Sequence, residues 1–168
     1  FNIPCIISKT EYEQSVPEHA TLVVLAGFMK ILSKEFVEKY PTVNIHPSLL
    51  PSFRGKDAVI QALNAGVKIA GCTIHWVDEG MDTGKIIEQS SCPVWEDDNE
   101  HTLHARIHEL EHKIYADAIK QIIDVASSRG AFKPNEMTVV GTTYSKLETF
   151  LNAVAASQKA TGENKDGS

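Results

Sequence analysis

Several features that mark particular classes of protein are scarce or absent in this sequence. Its three cysteines, Cys5, Cys72 and Cys92, lie far apart in apolar settings, so we expect reduced thiols rather than a disulfide framework. No apolar run approaches the about 20 residues that a membrane-spanning helix needs. Basic residues are outnumbered, with 16 Lys and Arg against 22 Asp and Glu and a net charge of −6. Because nucleic-acid binding needs a basic surface, neither nucleic acid nor membrane is an expected partner.

The start of the chain lacks two further features. It opens at Phe1 without an initiator methionine or a signal-peptide pattern, and its first glycine is Gly27. We therefore expect a piece of a longer, cytoplasmic protein. The 168 residues suffice for one domain with a sizeable core, which we assign to residues 1–156. The polar residues 157–168 are expected to form a disordered tail.

Strand-like and helix-like segments alternate along the chain and predict an α/β fold with a mostly parallel, doubly wound sheet. Ser33 is a suitable cap for a helix, and Gly66 and Gly130 are suitable left-handed terminators. The predicted strands are 5–7, 21–26, 43–46, 69–77, 86–94 and 137–140. The predicted helices are 34–40, 57–64, 97–129 and 144–156, and the third of them carries a clear apolar stripe.

The stretch that most suggests a function is Asn44–Gly55. Alternation along the preceding strand puts the side chains of Asn44 and His46 on one face, and Pro47 ends the strand because proline cannot donate to a ladder. An amide and an imidazole then lie together at the carboxyl end of a strand, where open α/β sheets bind ligands. The imidazole can transfer a proton near neutral pH, and the amide can donate to a developing oxyanion. His46 alone could equally be a hydrogen-bonded strand histidine.

The loop Asp78–Gly84 carries three acidic residues, which in a glycine-containing loop are usually solvated turn formers. One of them gains a role if the loop reaches over the Asn44–His46 pair. A carboxylate beside His46 would favour the imidazolium form, and Asp82 is the best placed to provide it. We interpret His75, in a neighbouring predicted strand, as a packed and hydrogen-bonded histidine rather than a catalytic one.

The segment His108–His112 matches the zinc-protease pattern H-E-x-x-H on a helix, and His104 lies one turn earlier. Two histidines a turn apart can share a metal ion. However, no histidine follows His112, and the apolar stripe rather than the histidines forms the predicted buried face of the helix. We therefore predict no catalytic metal. The face is either an ordinary polar surface or one that looks into a substrate crevice, where Glu111 could bind a cation or hydroxyl groups.

Together these residues resemble the folate-dependent formyltransferase family. Residues 44–51 look like the signature of that family, and residues 78–84 look like its aspartate loop. The resemblance covers roughly residues 22–115 and is greatest to the members that formylate glycinamide ribonucleotide in purine synthesis. The similarity to those members lies in residues 27–32, 71–77 and Glu111–His112.

The resemblance implies a Rossmann-like formyltransferase fold and direct formyl transfer from 10-formyltetrahydrofolate to the amine of glycinamide ribonucleotide. His46 would be the general acid, Asn44 would hold the formyl oxygen, and Asp82 would keep His46 protonated. No metal or covalent enzyme intermediate is implied, and a homodimer is left open. The implied folate-binding residues are Met29, Lys30, Ile31, Leu32, Asn44, Asp78, Glu79, Gly80, Met81 and Asp82, and the implied ribonucleotide-binding residues are His108 and Glu111.

The sequence departs from the family pattern in two places. Lys30 stands where the family usually has arginine, which matters little if the contact is through the backbone. The first strand and the glycine-rich phosphate loop of the family are missing, which predicts an impaired site for the substrate phosphate. Three alternatives stay open: a formyltetrahydrofolate deformylase, against which Pro47 argues; a methionyl-tRNA formyltransferase, against which the net charge argues; and a folate-binding remnant without transfer activity.

Overall fold

The computed structural model describes residues 12–130 and 132–162, with side chains to residue 149. The described part therefore excludes Cys5 and the strand predicted at 5–7. In chain order, its elements are β1 (Val23–Leu25), α1 (Lys34–Lys39), β2 (Thr42–His46), α2 (Ala58–Asn64), β3 (Ile69–Trp76), β4 (Ile86–Pro93), α3 (Glu100–Ser128) and α4 (Met137–Gly162).

The chain divides into two compact units, and the division falls between Ile114 and Tyr115, inside α3. The first unit, here called the sheet unit, contains all the described strands, α1, α2 and the first half of α3. The second, here called the helical unit, contains the rest of α3 and α4. Because one continuous helix crosses the division, the single domain expected at residues 1–156 remains a prediction.

The described strands form one sheet in the order β1-β2-β3-β4. The α/β class is confirmed, but the sheet is mixed: β1 and β2 are parallel, whereas β2–β3 and β3–β4 are antiparallel. The expected predominance of parallel pairs therefore does not hold among these strands. A short loop, residues 77–85, joins β3 to β4 as a hairpin, and such a connection can only link antiparallel neighbours. Strand-helix alternation alone does not reveal this hairpin.

The register of β2 against β3 places four polar side chains on one face of the sheet. Asn44 is opposite His75, and His46 is opposite Thr73. Residues that are directly opposite each other, and those two positions along, point to the same side. His46, Thr73 and His75 are all buried.

The local signals in the sequence form as predicted. Ser33 caps α1, and its hydroxyl accepts the backbone N–H of Phe36 at 3.2 Å. Leu32 before this helix, Phe36 within it and Tyr40 at its end pack into one apolar cluster. Gly66 ends α2 with φ of 65°, a conformation that costs glycine little. The predicted apolar stripe of α3 is buried at Leu103, Ile107, Ile114 and Ala118, but near its end Val125 is exposed and Ile123, which the stripe did not include, is buried instead.

The predicted strand at 137–140 is wrong, because these residues form the first turn of α4. The β-branched pair Val139–Val140 favours a strand by local propensity. In the helical unit, however, Val140, Tyr144 and Leu147 recur at helical spacing and pack with α3 residues Ala116 and Ile123. α4 also extends to Gly162, and thus into the tail predicted at 157–168.

Two of the cysteines are free thiols buried in the sheet unit, as expected. Burial, followed by the charge of Glu111, raises the pKa of the Cys72 thiol to about 12. Burial likewise raises the pKa of Cys92. Both thiols are therefore protonated and weakly nucleophilic at neutral pH. Among the described helices, none combines the length and apolar character needed to cross a bilayer.

A buried ion pair holds the start of α3 against the end of β4. Arg106 donates two hydrogen bonds to Asp98, at 2.8 and 2.9 Å, and a third to the carbonyl of Pro93 at 2.8 Å. Its guanidinium also stacks 3.5 Å over the ring of Trp95. Asp98 accepts further hydrogen bonds from the Trp95 N–H and the Thr102 hydroxyl, so its carboxylate is fully engaged. The contact with Arg106 is the main cause that holds the pKa of Asp98 well below its usual range, and these further hydrogen bonds add to the effect.

Asp98→Asn should lower the free energy of unfolding by about 2 kcal/mol at pH 7, because the paired guanidinium loses its charged partner. A carboxylate with a lowered pKa stabilises the fold above its unfolded pKa, and that stability is lost as pH falls towards the folded value. The difference in unfolding free energy between Asp98→Asn and the unmodified chain should therefore begin to shrink below about pH 4 and keep shrinking as the pH falls further. Urea unfolding at a series of pH values measures this difference, and Asp97→Asn, a change at an exposed residue, is the control. An equal loss in the control would contradict this account.

Candidate active site

The loop that follows β2 is anchored by side chains of β3 and β4. The Thr73 hydroxyl donates to the carbonyl of Ser48 at 2.6 Å and accepts the N–H of Leu50 at 3.0 Å. From β4, the Gln89 amide donates to the Leu50 carbonyl at 3.0 Å and to the Thr73 hydroxyl at 2.8 Å. The buried hydroxyl thus has all its hydrogen-bonding capacity used. The strands therefore fix the course of the loop immediately beyond His46.

Further along, this loop turns back over the end of β2. Phe53 and Gly55 both have positive φ, of 54° and 77°. The turn brings the Phe53 carbonyl to 2.9 Å from Nε2 of His46. It also directs the Gly55 N–H at Oδ2 of Asp82, at 2.7 Å. A non-glycine residue rarely adopts positive φ, and such residues concentrate at functional sites.

His46 lies between two hydrogen-bond acceptors. Its Nδ1 is 3.3 Å from Oδ2 of Asp82, and its Nε2 faces the Phe53 carbonyl. The side chain is only 7% exposed. A ring with protons on both nitrogens satisfies both acceptors, whereas a neutral ring can donate to only one of them. The structure thus brings the predicted carboxylate to the predicted imidazole, although their catalytic roles remain predictions.

Asp82 is the point where the two loops meet. Its backbone has φ of 53°, and its side chain is 13% exposed. One carboxylate oxygen contacts His46 and Gly55, and the other lies 3.5 Å from Nε2 of His75. The hydrogen bond with His75 is the main cause that lowers the pKa of Asp82, followed by the Gly55 N–H and the charge of His46, and together they outweigh burial. The group is therefore an anion that two imidazoles share.

His75 belongs to this cluster, which the sequence interpretation did not foresee. Its Nδ1 donates to the Trp76 carbonyl at 2.9 Å, so Nε2 is the nitrogen that can change partner. Nε2 lies 3.5 Å from both Nδ2 of Asn44 and Oδ1 of Asp82. A neutral ring accepts from Asn44, and a protonated ring donates to Asp82. The expectation of a packed, hydrogen-bonded histidine is confirmed, but its partners are functional candidates.

Asn44 leaves one buried polar atom without a partner. Its Oδ1 has no hydrogen bond within the described part of the chain, while its Nδ2 faces His75. A buried acceptor left unpaired costs about 1–3 kcal/mol. A ligand that donates to this oxygen recovers that cost. A rotation of the amide presents Nδ2 instead, as a donor to an oxyanion.

The two segments expected to hold a folate differ in how they offer their side chains. Met29 and Ile31 are 70% and 63% exposed, whereas Leu32 is buried in the core cluster and offers only its backbone. The ammonium of Lys30 sits 4.8 Å from the centre of the Tyr12 ring. An exposed ion pair of 2.9 Å connects Lys34, the first residue of α1 just after this segment, to Glu79 of the acidic loop.

Within the acidic loop, Asp78 is used internally. Its Oδ1 accepts the Gly80 N–H at 3.0 Å and the Thr83 hydroxyl at 2.6 Å, which is the pattern of a side-chain-stabilised turn. Met81 is 53% exposed beside this turn. Glu79 is engaged by Lys34, so Asp82 is the one acid of the loop that reaches the histidines.

The two residues expected to contact the ribonucleotide lie on α3. His108 is exposed and Glu111 is half-buried, and burial raises the pKa of Glu111. The charge of Glu111 acts on Cys72, which strand alternation places on the opposite face of β3 from Thr73. In residues 12–130, neither His108 nor Glu111 shares a hydrogen bond or an ion pair with the Asn44–His46–Asp82 cluster. Their role remains a prediction.

With this geometry established, the chain can be compared with known proteins. Residues 7–119 match the family model described as Formyl transferase. The chain belongs to the formyl transferase family. A curated relative, the phosphoribosylglycinamide formyltransferase of Bacillus subtilis, is 46% identical over 130 residues, which are 73% of this chain and 66% of the relative. The human trifunctional purine biosynthetic protein adenosine-3 is 50% identical over 103 residues, 60% of this chain and 10% of that protein.

Solved structures of formyl transferases agree with the fold. Phosphoribosylglycinamide formyltransferase from Anaplasma phagocytophilum is 50% identical, with a TM-score of 0.58 over 60% of this chain and 50% of that one. The enzyme of the same name from Streptococcus pneumoniae is 46% identical, with a TM-score of 0.58 over 60% of this chain and 57% of that one. The chain thus spans about half the length of these solved formyl transferases.

Gly84 generates a test of how the acidic loop is held. A Cβ on Gly84 would overlap the backbone carbonyl of Trp76, next to His75. Gly84→Ala should therefore lower the free energy of unfolding by about 2–3 kcal/mol. Gly66→Ala is the matched control: its φ of 65° makes alanine strained, but a Cβ there meets nothing within 4 Å, so about 1 kcal/mol is expected. Urea unfolding compares the two, and equal losses would refute the close-packed loop.

Proposed function

We propose that this formyl transferase moves a formyl group from 10-formyltetrahydrofolate to the amine of glycinamide ribonucleotide, as the names of its relatives suggest. The observation that carries the proposal is the Asp82 carboxylate within reach of both His46 and His75, beside an Asn44 oxygen that has no hydrogen-bond partner among the described residues. These groups supply an anion, a proton donor and an amide around one small space. That set of groups suits an acyl transfer that passes through a tetrahedral intermediate.

In the proposed reaction, the ribonucleotide amine attacks the formyl carbon and forms a new C–N bond. The carbonyl oxygen becomes an oxyanion, which the Asn44 amide and the His46 imidazolium stabilise. The bond from the formyl carbon to the folate nitrogen then breaks. The attacking amine loses one proton and the leaving nitrogen gains one, so no net proton is consumed. His46 relays this proton, and no covalent enzyme intermediate or metal is needed.

His46 must change a partner to perform this step. Both of its ring nitrogens are occupied, one by Asp82 and the other by the Phe53 carbonyl. Substrate can receive a proton from the ring only when it replaces one of these contacts. Of the two contacts, the one with Phe53 is the easier to break, because a neutral carbonyl binds an imidazolium less strongly than a carboxylate does. Asp82 can therefore hold the ring while the Phe53 side faces the substrate.

The folate would lie between the Met29–Leu32 segment and the Asp78–Asp82 loop. The exposed side chains of Met29, Ile31 and Met81 offer apolar surface to an aromatic ring system. Backbone groups of both segments would provide hydrogen bonds. The exposed pair Lys34–Glu79 joins the start of α1, just after the first segment, to the second, and exposed ion pairs contribute little to stability. The arrangement leaves His108 and Glu111 as the proposed ribonucleotide contacts.

A transfer assay with three acceptors tests the proposal. The purified chain is given 10-formyltetrahydrofolate with glycinamide ribonucleotide, with water alone, or with methionyl-tRNA. Formylation of the ribonucleotide is the expected outcome. Formate release alone would instead identify a deformylase, and formylation of the tRNA would identify that acceptor. Folate binding by calorimetry without any transfer would mean a binding remnant, and the proposal would then be wrong.

His46→Ala should abolish transfer while tetrahydrofolate binding stays within about threefold, because the ring acts on the intermediate rather than on the pterin. Binding is measured by calorimetry and the fold by circular dichroism. The matched control is His19→Ala, a histidine outside the cluster. Loss of folate binding together with transfer would show a structural role for His46 instead.

Asp82→Asn should reduce the transfer rate by about 10²–10³-fold, since the amide keeps the shape but cannot stabilise an imidazolium. Asp97→Asn, the same change at an exposed residue outside the proposed site, is the control and should retain most activity. Steady-state kinetics with both substrates separate the effects on the rate and on binding. An Asp82→Asn variant with an unchanged maximal rate would remove the carboxylate from the mechanism.

Two further predictions concern the state of the protein rather than its chemistry. We expect a cytoplasmic location and allow for a homodimer, as the sequence interpretation did. Light scattering on the purified chain measures the oligomeric state. Fractionation of cells that express the chain with a fluorescent tag measures the location.

A further inference from the structure

The sequence feature that the proposed function does not absorb is a row of three histidines on α3. His104, His108 and His112 follow one another at intervals of four residues, so they share one face of the helix. All three side chains are exposed. They lie on one helix within the sheet unit, so their spacing depends on the helix alone.

The geometry of the rings within this row distinguishes its two pairs. The ring centres of His108 and His112 are 4.1 Å apart, with planes at 56°. Those of His104 and His108 are 6.3 Å apart, with planes at 14°. Zn–N bonds of about 2.0–2.1 Å at a tetrahedral angle would place the ring centres of two histidines on one ion roughly 5 Å apart. The His108–His112 pair must open by about an ångström to reach that separation, and the other pair must close by a similar amount. The planes distinguish the pairs, because a bound ion lies in the plane of each ring: planes at 56° meet close to the rings, whereas planes at 14° do not.

We propose that His108 and His112 form a two-histidine chelate for a borderline divalent transition-metal ion such as Zn²⁺. Imidazole nitrogens suit Zn²⁺, Cu²⁺ and Ni²⁺, whereas Mg²⁺ and Ca²⁺ prefer oxygen ligands. The remaining coordination positions are open to water, since no group of three metal-binding side chains is assembled within the described residues. The site is therefore one of reversible binding rather than a closed structural centre.

The electrostatic surroundings favour a cation at this position. Glu111 lies close enough to His104 and His108 for their charges to act on its carboxylate. The chain as a whole carries a net charge of −6. The buried thiols of Cys72 and Cys92 do not compete for an ion on the helix surface.

Occupancy of this chelate has a consequence for ligand binding, which rests on the proposed function. That function assigns His108 to the ribonucleotide, so a Zn²⁺ ion on His108 would compete with the substrate. Zn²⁺ binding itself does not depend on this assignment. Metal titration without substrate therefore tests the chelate separately from the transfer reaction.

Calorimetric titration of the metal-stripped full chain with Zn²⁺ alone tests the proposal, in a Cys5→Ser background that removes the remaining thiol. One ion per chain is expected, and Mg²⁺ should not bind. His108→Gln and His112→Gln should each weaken Zn²⁺ binding by about tenfold or more, because each removes one of two ligands. His101→Gln is the matched control, an exposed histidine on the same helix face but about two turns before His108 and therefore out of reach of an ion held by the pair, and it should bind within twofold of the unmodified chain.

Other results would overturn the assignment. An equal loss in His101→Gln would mean diffuse binding to histidines. A tenfold loss in His104→Gln with none in His112→Gln would move the site to the other pair. No measurable Zn²⁺ binding by the unmodified chain would end the proposal. Circular dichroism confirms that the helix is retained in each variant, so that loss of binding reports loss of a ligand.

Discussion

The arrangement of the candidate site depends on the contacts made by the Asp82 carboxylate. This carboxylate is held between His46 and His75 and receives the backbone N–H of Gly55. A single anion shared by two imidazoles can stabilise a positive charge on either of them, but it cannot offset positive charges on both at once. The position of a proton within this cluster is therefore coupled to the Asn44 amide, which contacts the same nitrogen of His75. This coupling is what a proton relay in formyl transfer requires.

Placing that carboxylate takes two loops and three strands. Thr73 and Gln89, from the strands β3 and β4, hold the loop that follows β2. Gly84 allows the acidic loop to approach the end of β3 closely enough for Asp82 to face the sheet. None of these residues belongs to the proposed catalytic set, yet each one helps to position it. The hairpin of β3 and β4 therefore does more than supply Asp82 and His75, because its other residues position the site.

The features predicted correctly are those that local interactions decide. The cap by Ser33, the terminator Gly66 and the apolar stripe of α3 depend on neighbours within a few residues, so the sequence pattern is sufficient for them. The strand predicted at 137–140 fails for the complementary reason. The local β preference of the valines is overridden by packing of α4 on α3, through contacts such as those of Tyr144 and Leu147, which no short window contains.

By itself the sequence determined the α/β class, most element boundaries, the buried thiols, and the pairing of an amide with an imidazole at the end of β2. The sequence also made Asp82 the candidate partner carboxylate, and family resemblance added the role expected of it. Only the tertiary structure decided the mixed direction of the strands, the place of His75, and the engagement of both nitrogens of His46. The physical reason is sequence separation. Strand register and loop closure bring together residues that lie tens of positions apart, and no periodicity along the chain encodes such a meeting.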